Sequence, residues 1–160
     1  MPSIEVLLDT TYLLPTFGVR VRGLDDDALV KLRELGSSGE VRYYCSSVIW
    51  VELIGKVARE AKARGEDLED LVVESARSLL ESGFCRWIHP SKEAIKLAYR
   101  MRKLGHRDVI DNLLYSMAVT EGMRFLSMDS AFHRFLEGIG FETDVLISHE
   151  DLFRLVESNK

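Results

Sequence analysis

Four acids in this chain stand in surroundings that an acid seldom chooses. Asp9 closes the apolar run Val6-Leu7-Leu8 and is followed by two hydroxyls, Thr10 and Thr11. Glu52 is alone inside Val48-Ile49-Trp50-Val51-Glu52-Leu53-Ile54. An acid flanked in that way must be paired, metal-bound or pointed at an opening, because burying it bare is costly. Asp111 lies in Asp108-Val109-Ile110-Asp111-Asn112-Leu113-Leu114, and Asp129 closes Arg124-Phe125-Leu126-Ser127-Met128. Four carboxylates gathered in one place would repel and raise one another's pKa. Divalent cations relieve that repulsion, and Mg²⁺ and Mn²⁺ prefer oxygen ligands while keeping several waters. Two such ions about 4 Å apart can hold a phosphodiester, activate a water and steady the leaving oxygen. The chemistry to test is therefore metal-assisted phosphodiester hydrolysis, provided that the fold brings the acids together.

The elements that would position them can be read in order. Val6–Leu8 is an apolar run without alternation, as suits a strand covered on both faces of a parallel sheet. Asp25-Asp26-Asp27 opens a helix that ends between Gly36 and Gly39. Val41–Cys45 reads as a strand, with Ser46 and Ser47 as candidate N-caps of a helix ending near Gly65. A helix from Glu66-Asp67 to Gly83 and a strand over Phe84–Ile88 follow. Pro90-Ser91 then opens a helix that ends at Gly105. Asp108 begins the next, which Gly122 terminates. Arg124–Asp129 is a buried strand, succeeded by a helix, a strand near Val145–Ile147 and a last helix from about Glu150. This β-α alternation predicts a single α/β domain over residues 1–160, with a mainly parallel central sheet and helices on both faces.

In a right-handed βαβ unit the helices run antiparallel to the strands, so strand carboxyl ends and helix amino ends share one edge of the sheet. Asp9 and Asp129 each end a strand; Glu52 and Asp111 each lie in the first turns of a helix. All four are placed on one rim, where open α/β folds bind ligands. Plainer roles compete at each position. Asp111 could be the N3 acid of a capping arrangement with Asp108 as N-cap, and Asp129 could cap the helix after it. Their joint placement favours a site, with Asp108 left as a cap that supports it.

Composition bounds the rest. The chain has 160 residues, 46% apolar and 29% charged, with a net charge of −5, which describes a soluble globular protein with room for a sizeable core. The first residues lack a basic region followed by a long apolar one, so no signal peptide is expected. No apolar run approaches the roughly 20 residues of a membrane span. Cys45 and Cys85 are too few for a disulfide framework and have no metal-ligand spacing; two buried thiols and a reducing cytoplasm are expected. Gln is absent and Asn occurs only at 112 and 159, a depletion of thermolabile amides found in hyperthermophiles. A generic nucleic-acid binder would be basic. Here the bases gather locally: Lys96, Arg100, Arg102, Lys103 and Arg107 fall in twelve residues without an acid. They read either as a solvated helix face or as a contact for a nucleic-acid backbone. His89, His106, His133 and His149 show no ligand spacing and are expected in loops or on the surface, with His106 the one nearest to an RNA role.

Four segments then resemble the PIN-domain ribonucleases, in particular VapC-like toxins. Val6-Leu7-Leu8-Asp9-Thr10-Thr11 is similar to that family's opening strand, and Ser46-Ser47-Val48-Ile49-Trp50-Val51-Glu52-Leu53 to its second-acid helix. Asp111-Asn112-Leu113-Leu114-Tyr115-Ser116-Met117-Ala118 resembles the Asp-Ala-Leu-Ile-Ala-Ala-x-Ala helix. Phe125-Leu126-Ser127-Met128-Asp129-Ser130-Ala131-Phe132 resembles the Leu-x-Thr-x-Asp-x-x-Phe end. The resemblance implies a PIN-like three-layer α/β/α nuclease domain that cleaves RNA with Mg²⁺ or Mn²⁺. It assigns Asp9, Glu52, Asp111 and Asp129 to metal binding, and Thr11 and Ser127 to orienting carboxylates or water. It also implies a homodimer and, for a toxin, a small antitoxin partner. Arg100, Arg102, Lys103 and Arg107 are the expected RNA contacts. Asn112 replaces the usual Ala, Ser127 replaces Thr, and the chain is longer than many VapC-like toxins, with the extra length expected in the helices between Lys56 and Gly83. A non-catalytic RNA- or protein-binding module of the same fold is the alternative. A phosphotransferase that forms an aspartyl-phosphate would want a second Asp two residues after Asp9, where this chain has Thr11.

Overall fold

The computed structural model describes residues 2–160. Its centre is β1, Ile4–Leu8, whose last three residues are buried. On one side β1 pairs with β2 (Val41–Ser46), which pairs with β3 (Cys85–Ile88). On the other it pairs with β4 (Arg124–Leu126), which pairs with β5 (Leu146–Ile147). All pairings are parallel and the order is β3-β2-β1-β4-β5. Strands flanked on both edges and covered on both faces have no solvent side, which is why Val6-Leu7-Leu8 does not alternate. The chain winds outward from β1 to β3 and then returns to β4, so a topological switch point lies at the carboxyl end of β1.

Seven helices among the described residues cover this sheet: α1 (Asp26–Ser37), α2 (Ile49–Arg64), α3 (Glu69–Glu81), α4 (Lys92–Lys103), α5 (Val109–Glu121), α6 (Ser130–Gly138) and α7 (His149–Ser158). The fold is thus the α/β architecture with a central parallel sheet that the alternation predicts. Two short 3₁₀ turns, Thr10–Tyr12 and Leu14–Phe17, carry the chain away from Asp9. Asp25, Ser91, Asp108, Asp129 and Ser148 each accept a backbone N–H from the first turn of the helix that follows, satisfying an orphan donor there. α5 is apolar nearly all round, and its Leu114, Tyr115, Met117 and Ala118 are buried; a helix of that kind belongs inside the protein. Gly122, at φ 69°, closes it with the left-handed turn that glycine adopts without strain.

Three expectations need correction. The strand read as Arg124–Asp129 stops at Leu126: Ser127 makes one more ladder bond, from its N–H to the Ile147 carbonyl (3.0 Å), and the chain then turns so that Asp129 can cap α6. Ser46 and Ser47 do not cap α2. Ser46 is the buried last residue of β2, and α2 starts at Ile49 with no side-chain cap. His149 is not a surface residue but is buried: its backbone N–H donates to the Tyr12 hydroxyl (3.2 Å), and that hydroxyl is 3.0 Å from Nδ1. An oxygen that accepts the amide has its own proton free for Nδ1, so the pair ties α7 to the turn beside Asp9. Cys45 and Cys85 are both buried and free.

Candidate active site

Asp9 follows β1 directly. Its backbone N–H still donates to the Leu126 carbonyl (3.1 Å), and its Oδ1 accepts from the Thr10 N–H (2.8 Å). The residue is only 6% exposed, because β1 is the central strand and the 3₁₀ turn folds over its end. Glu52 is placed by α2, which packs Ile49, Leu53 and Val57 into the core. Burying three such side chains contributes roughly 1.5–3 kcal/mol each, enough to hold an acid in the same turns partly dehydrated. Trp50, on another side of α2, stacks on Trp87 of β3 (5.7 Å, 10°) and meets Phe17 edge-on (6.1 Å), which fixes how the helix lies. Asp111 enters from the first turn of the buried helix α5 and is 8% exposed.

The three elements bring one oxygen each of Asp9, Glu52 and Asp111 within 4.8 Å of one another. Electrostatics follows from that. Burial, and then the Glu52 charge, push the Asp9 carboxyl up to about 7, against the Thr10 N–H and the Lys56 charge, which pull it down. Burial, followed by the charges of Asp9, Asp108, Glu52 and Asp129, pushes Asp111 up to about 8. Glu52 Oε1 is ion-paired with Lys56, while Oε2 is buried without a hydrogen-bond partner. Thr10 Oγ1, next to Asp9, is a second buried oxygen without a partner. Hard oxygen donors at this spacing, desolvated and mutually repelling, fit a divalent cation of the Mg²⁺ or Mn²⁺ type.

The other sequence-predicted residues fall around this cluster rather than in it. Asp129 is exposed and caps α6, its Oδ1 accepting from the Phe132 N–H (3.0 Å); its charge reaches Asp111, but it is not one of the three clustered acids. Asp108 is exposed and caps α5 through the Asp111 N–H (3.1 Å), and its charge raises both Asp9 and Asp111. Ser127 is buried, and its Oγ accepts from the Asp129 N–H (3.2 Å). Thr11 is half-buried in the turn after Asp9. Arg100, Arg102, Lys103 and Arg107 are exposed at the end of α4 and in the loop after it, and none is ion-paired among the described residues. Lys103 lies over the Tyr99 ring at 5.7 Å.

Two residues at the site escape a reading for acids. Lys56 stands four residues after Glu52 on α2, a spacing that pairs opposite charges on one helix face and was available as a signal. Asn112, next to Asp111, is wholly buried. Its Oδ1 accepts from His106 Nδ1 (2.6 Å) and its Nδ2 donates to the His106 carbonyl (3.1 Å). The His106 ring packs on Phe132 and Phe135 of α6 (4.7 and 4.8 Å). The loop that carries Arg107 and Asp108 is therefore clamped to both α5 and α6. Nothing local announces that clamp, since its partners lie up to 29 residues from His106.

No family model matches the chain, and no curated protein matches it by sequence. Solved structures do match it. A toxin–antitoxin complex from Klebsiella pneumoniae aligns over 90% of this chain and 97% of its own, at 14% identity and a TM-score of 0.54. VapBC2 from Rickettsia felis, bound to a DNA fragment from their promoter, aligns over 91% and 98%, at 14% identity and 0.60. PAE2754 from Pyrobaculum aerophilum aligns over 99% and 94%, at 14% identity and 0.61. Likeness at that identity speaks for the fold, and the fold of this chain is the VapC-like PIN fold.

Proposed function

We propose that the chain is a divalent-metal-dependent endoribonuclease, one nuclease domain over its length, that hydrolyses RNA phosphodiester bonds at the Asp9–Glu52–Asp111 cluster. The observation that carries this reading is the convergence of three desolvated carboxylate groups at the switch point of the sheet, one with a buried oxygen left unpartnered. Asp9, Glu52 and Asp111 would hold Mg²⁺ or Mn²⁺, with Asp129 and Asp108 adding negative charge on the exposed side. When bound, such an ion would supply positive charge beside the phosphodiester and lower the pKa of water, so that hydroxide would be available as the nucleophile near neutral pH. The chain's own part is to keep bulk water from Asp9 and Asp111, to hold Asp129 through the Ser127 hydroxyl, and to leave no side chain as a covalent nucleophile. Thr11 stands beside the site to orient a carboxylate or a water. Arg100, Arg102, Lys103 and Arg107 would take the RNA backbone and make binding salt-dependent.

The same reading makes the chain the toxin of a VapBC-like pair in the cytoplasm, with a second copy of itself and a small antitoxin as partners. Of the matched structures, one is of a toxin–antitoxin complex and another is of VapBC2. Among the described residues no helix is long and apolar enough to cross a membrane. A groove of about 600 Å³ between α2 and α3, lined by Phe17, Trp50, Leu53, Val57 and Val72, offers apolar surface for a protein partner. One observation favours a binding-only module instead: Lys56 already neutralises Glu52. End-labelled RNAs incubated with and without Mn²⁺ or Mg²⁺, beside the Asp9→Asn variant, separate the two. Metal-dependent fragments that vanish in the variant are expected; RNA that is bound yet uncut across metals would leave the binding module.

A further inference from the structure

The acid cluster contains a cation of its own. Lys56 lies one turn after Glu52 on α2, and its ammonium is ion-paired with Glu52 Oε1. The two side chains are 33% and 17% exposed, so the pair lies at the mouth of the site and not out on the surface. Its charge reaches across to Asp9, whose carboxyl it pulls down against burial and against Glu52. Among the described residues no other lysine or arginine is ion-paired with Asp9, Glu52, Asp108, Asp111 or Asp129. The helix anchors the lysine by Leu53 and Val57, both buried, so the ammonium can swing away but cannot leave the neighbourhood.

We propose that Lys56 is a tethered counter-cation of the cluster, which competes with a divalent ion for Glu52 and sets the concentration at which the site loads. This rests on reading Asp9, Glu52 and Asp111 as a divalent-ion site. The physical reason is that a divalent ion and an ammonium repel each other while both are drawn to the same carboxylate. Holding one lowers the affinity for the other, and the effect is reciprocal. A lysine suits the part better than an arginine would. Its single point charge is strongly hydrated and flexible, so it gives up a carboxylate oxygen without breaking a fixed two-point contact. At low divalent concentration Lys56 offsets part of the repulsion that would otherwise strain α2 against β1. At high concentration the ion takes over, and the ammonium is released toward the open side, where a phosphate of the substrate would arrive.

The test is binding of Mn²⁺ alone to the full chain, read from free Mn²⁺ by electron paramagnetic resonance. Wild type is compared with Lys56→Met, Lys56→Gln and Lys56→Arg, and thermal melts are run with and without Mn²⁺. Removing the charge should tighten Mn²⁺ binding about tenfold in both neutral variants, a figure discounted for solvent screening of a one-third exposed group. Lys56→Arg should bind Mn²⁺ no more tightly than wild type if charge is the cause, since it keeps the charge and can hold the carboxylate in a two-point contact. The neutral variants should melt lower without metal and gain more from Mn²⁺ than wild type does. Mn²⁺ binding by wild type with no tightening in the neutral variants would overturn the lysine's part and leave the metal site standing. Equal tightening in Lys56→Arg would also overturn it, since charge would then not be the cause. Failure of all four proteins to bind Mn²⁺ would overturn both readings. Two neutral replacements of different polarity guard against one of them failing to fold.

Discussion

Asp9 and Asp129 stand at neighbouring strand ends, β1 and β4, and the protein treats them in opposite ways. Asp9 follows its strand at once and is buried under a 3₁₀ turn, with Glu52 and Asp111 close by. Asp129 comes three residues after its strand, is exposed, and spends an oxygen on capping α6. Burial and like charge raise Asp9 to about 7 and Asp111 to about 8. The difference teaches that position on the rim does not by itself make an acid part of a charged centre. Depth does, because desolvation strengthens each charge–charge interaction and makes the carboxylate look for a cation.

The largest expected effect of this difference is on cleavage. If the proposed activity holds, Asp9→Asn and Asp111→Asn should each lower metal-dependent RNA hydrolysis by more than about a hundredfold, whereas Asp129→Asn, which acts from outside the cluster, should lower it by about 10–100-fold, as outer partners of metal sites usually do. Single-turnover rates at saturating Mn²⁺ measure the contrast. Equal losses at all three positions would mean that Asp129 moves into the cluster in the working enzyme, and the comparison would have to be redrawn.

The deep acids should also show themselves in stability against pH, before any activity is found. A carboxyl whose pKa is raised by folding keeps its proton in the native chain after the unfolded chain has lost it. Between about pH 4 and the folded values near 7 and 8, the unfolded state therefore binds fewer protons, and stability falls as pH rises. Melts from pH 5 to 8 in the presence of a chelator should drop by on the order of 10 °C. Asp111→Asn should flatten the drop and Asp129→Asn should leave it. On the proposed metal-site reading, Mn²⁺ should flatten it in wild type by stabilising the ionised acids. A wild-type melting temperature that rises over this range would refute the buried, crowded state of Asp9 and Asp111.

How much of this contrast could be read from the chain follows from the same physics. The strand before Asp9, the helix stops at Gly65 and Gly122, and the caps Asp25, Ser91 and Asp108 were legible because each is a local pattern with a local cause. So was the common rim, which follows from the handedness of parallel α/β units. Depth was not legible. Val6-Leu7-Leu8-Asp9 and Phe125-Leu126-Ser127-Met128-Asp129 look alike in sequence, yet only the first acid is roofed over. That roof is built by the turn through Tyr12, whose hydroxyl is tied to His149, 137 residues away. For the same reason the local sequence around His149 does not reveal that its side chain is buried. The ion pair of Glu52 with Lys56 lay in plain view at a four-residue spacing. Its spacing alone does not distinguish it from an ordinary exposed Glu–Lys contact of little consequence.

The smallest effect isolates the second occupation of Asp129. As N-cap of α6 its Oδ1 accepts the Phe132 N–H at 3.0 Å, and its own N–H donates to Ser127 Oγ. Asn offers the same acceptor to that amide, while Ala offers none. Asp129→Ala should therefore cost about 1 kcal/mol in denaturant unfolding, and Asp129→Asn only a few tenths. Asp9 should behave the other way round. Its oxygen also accepts a backbone N–H, from Thr10, but above pH 8 the charge it carries is a burden in the metal-free protein. Asp9→Asn keeps the hydrogen bond and removes the charge, so it should unfold at higher denaturant than wild type when metal is chelated. Two acids that each cap a turn would then respond with opposite sign to the same substitution. The sign would report which of them is held under strain for an ion to relieve.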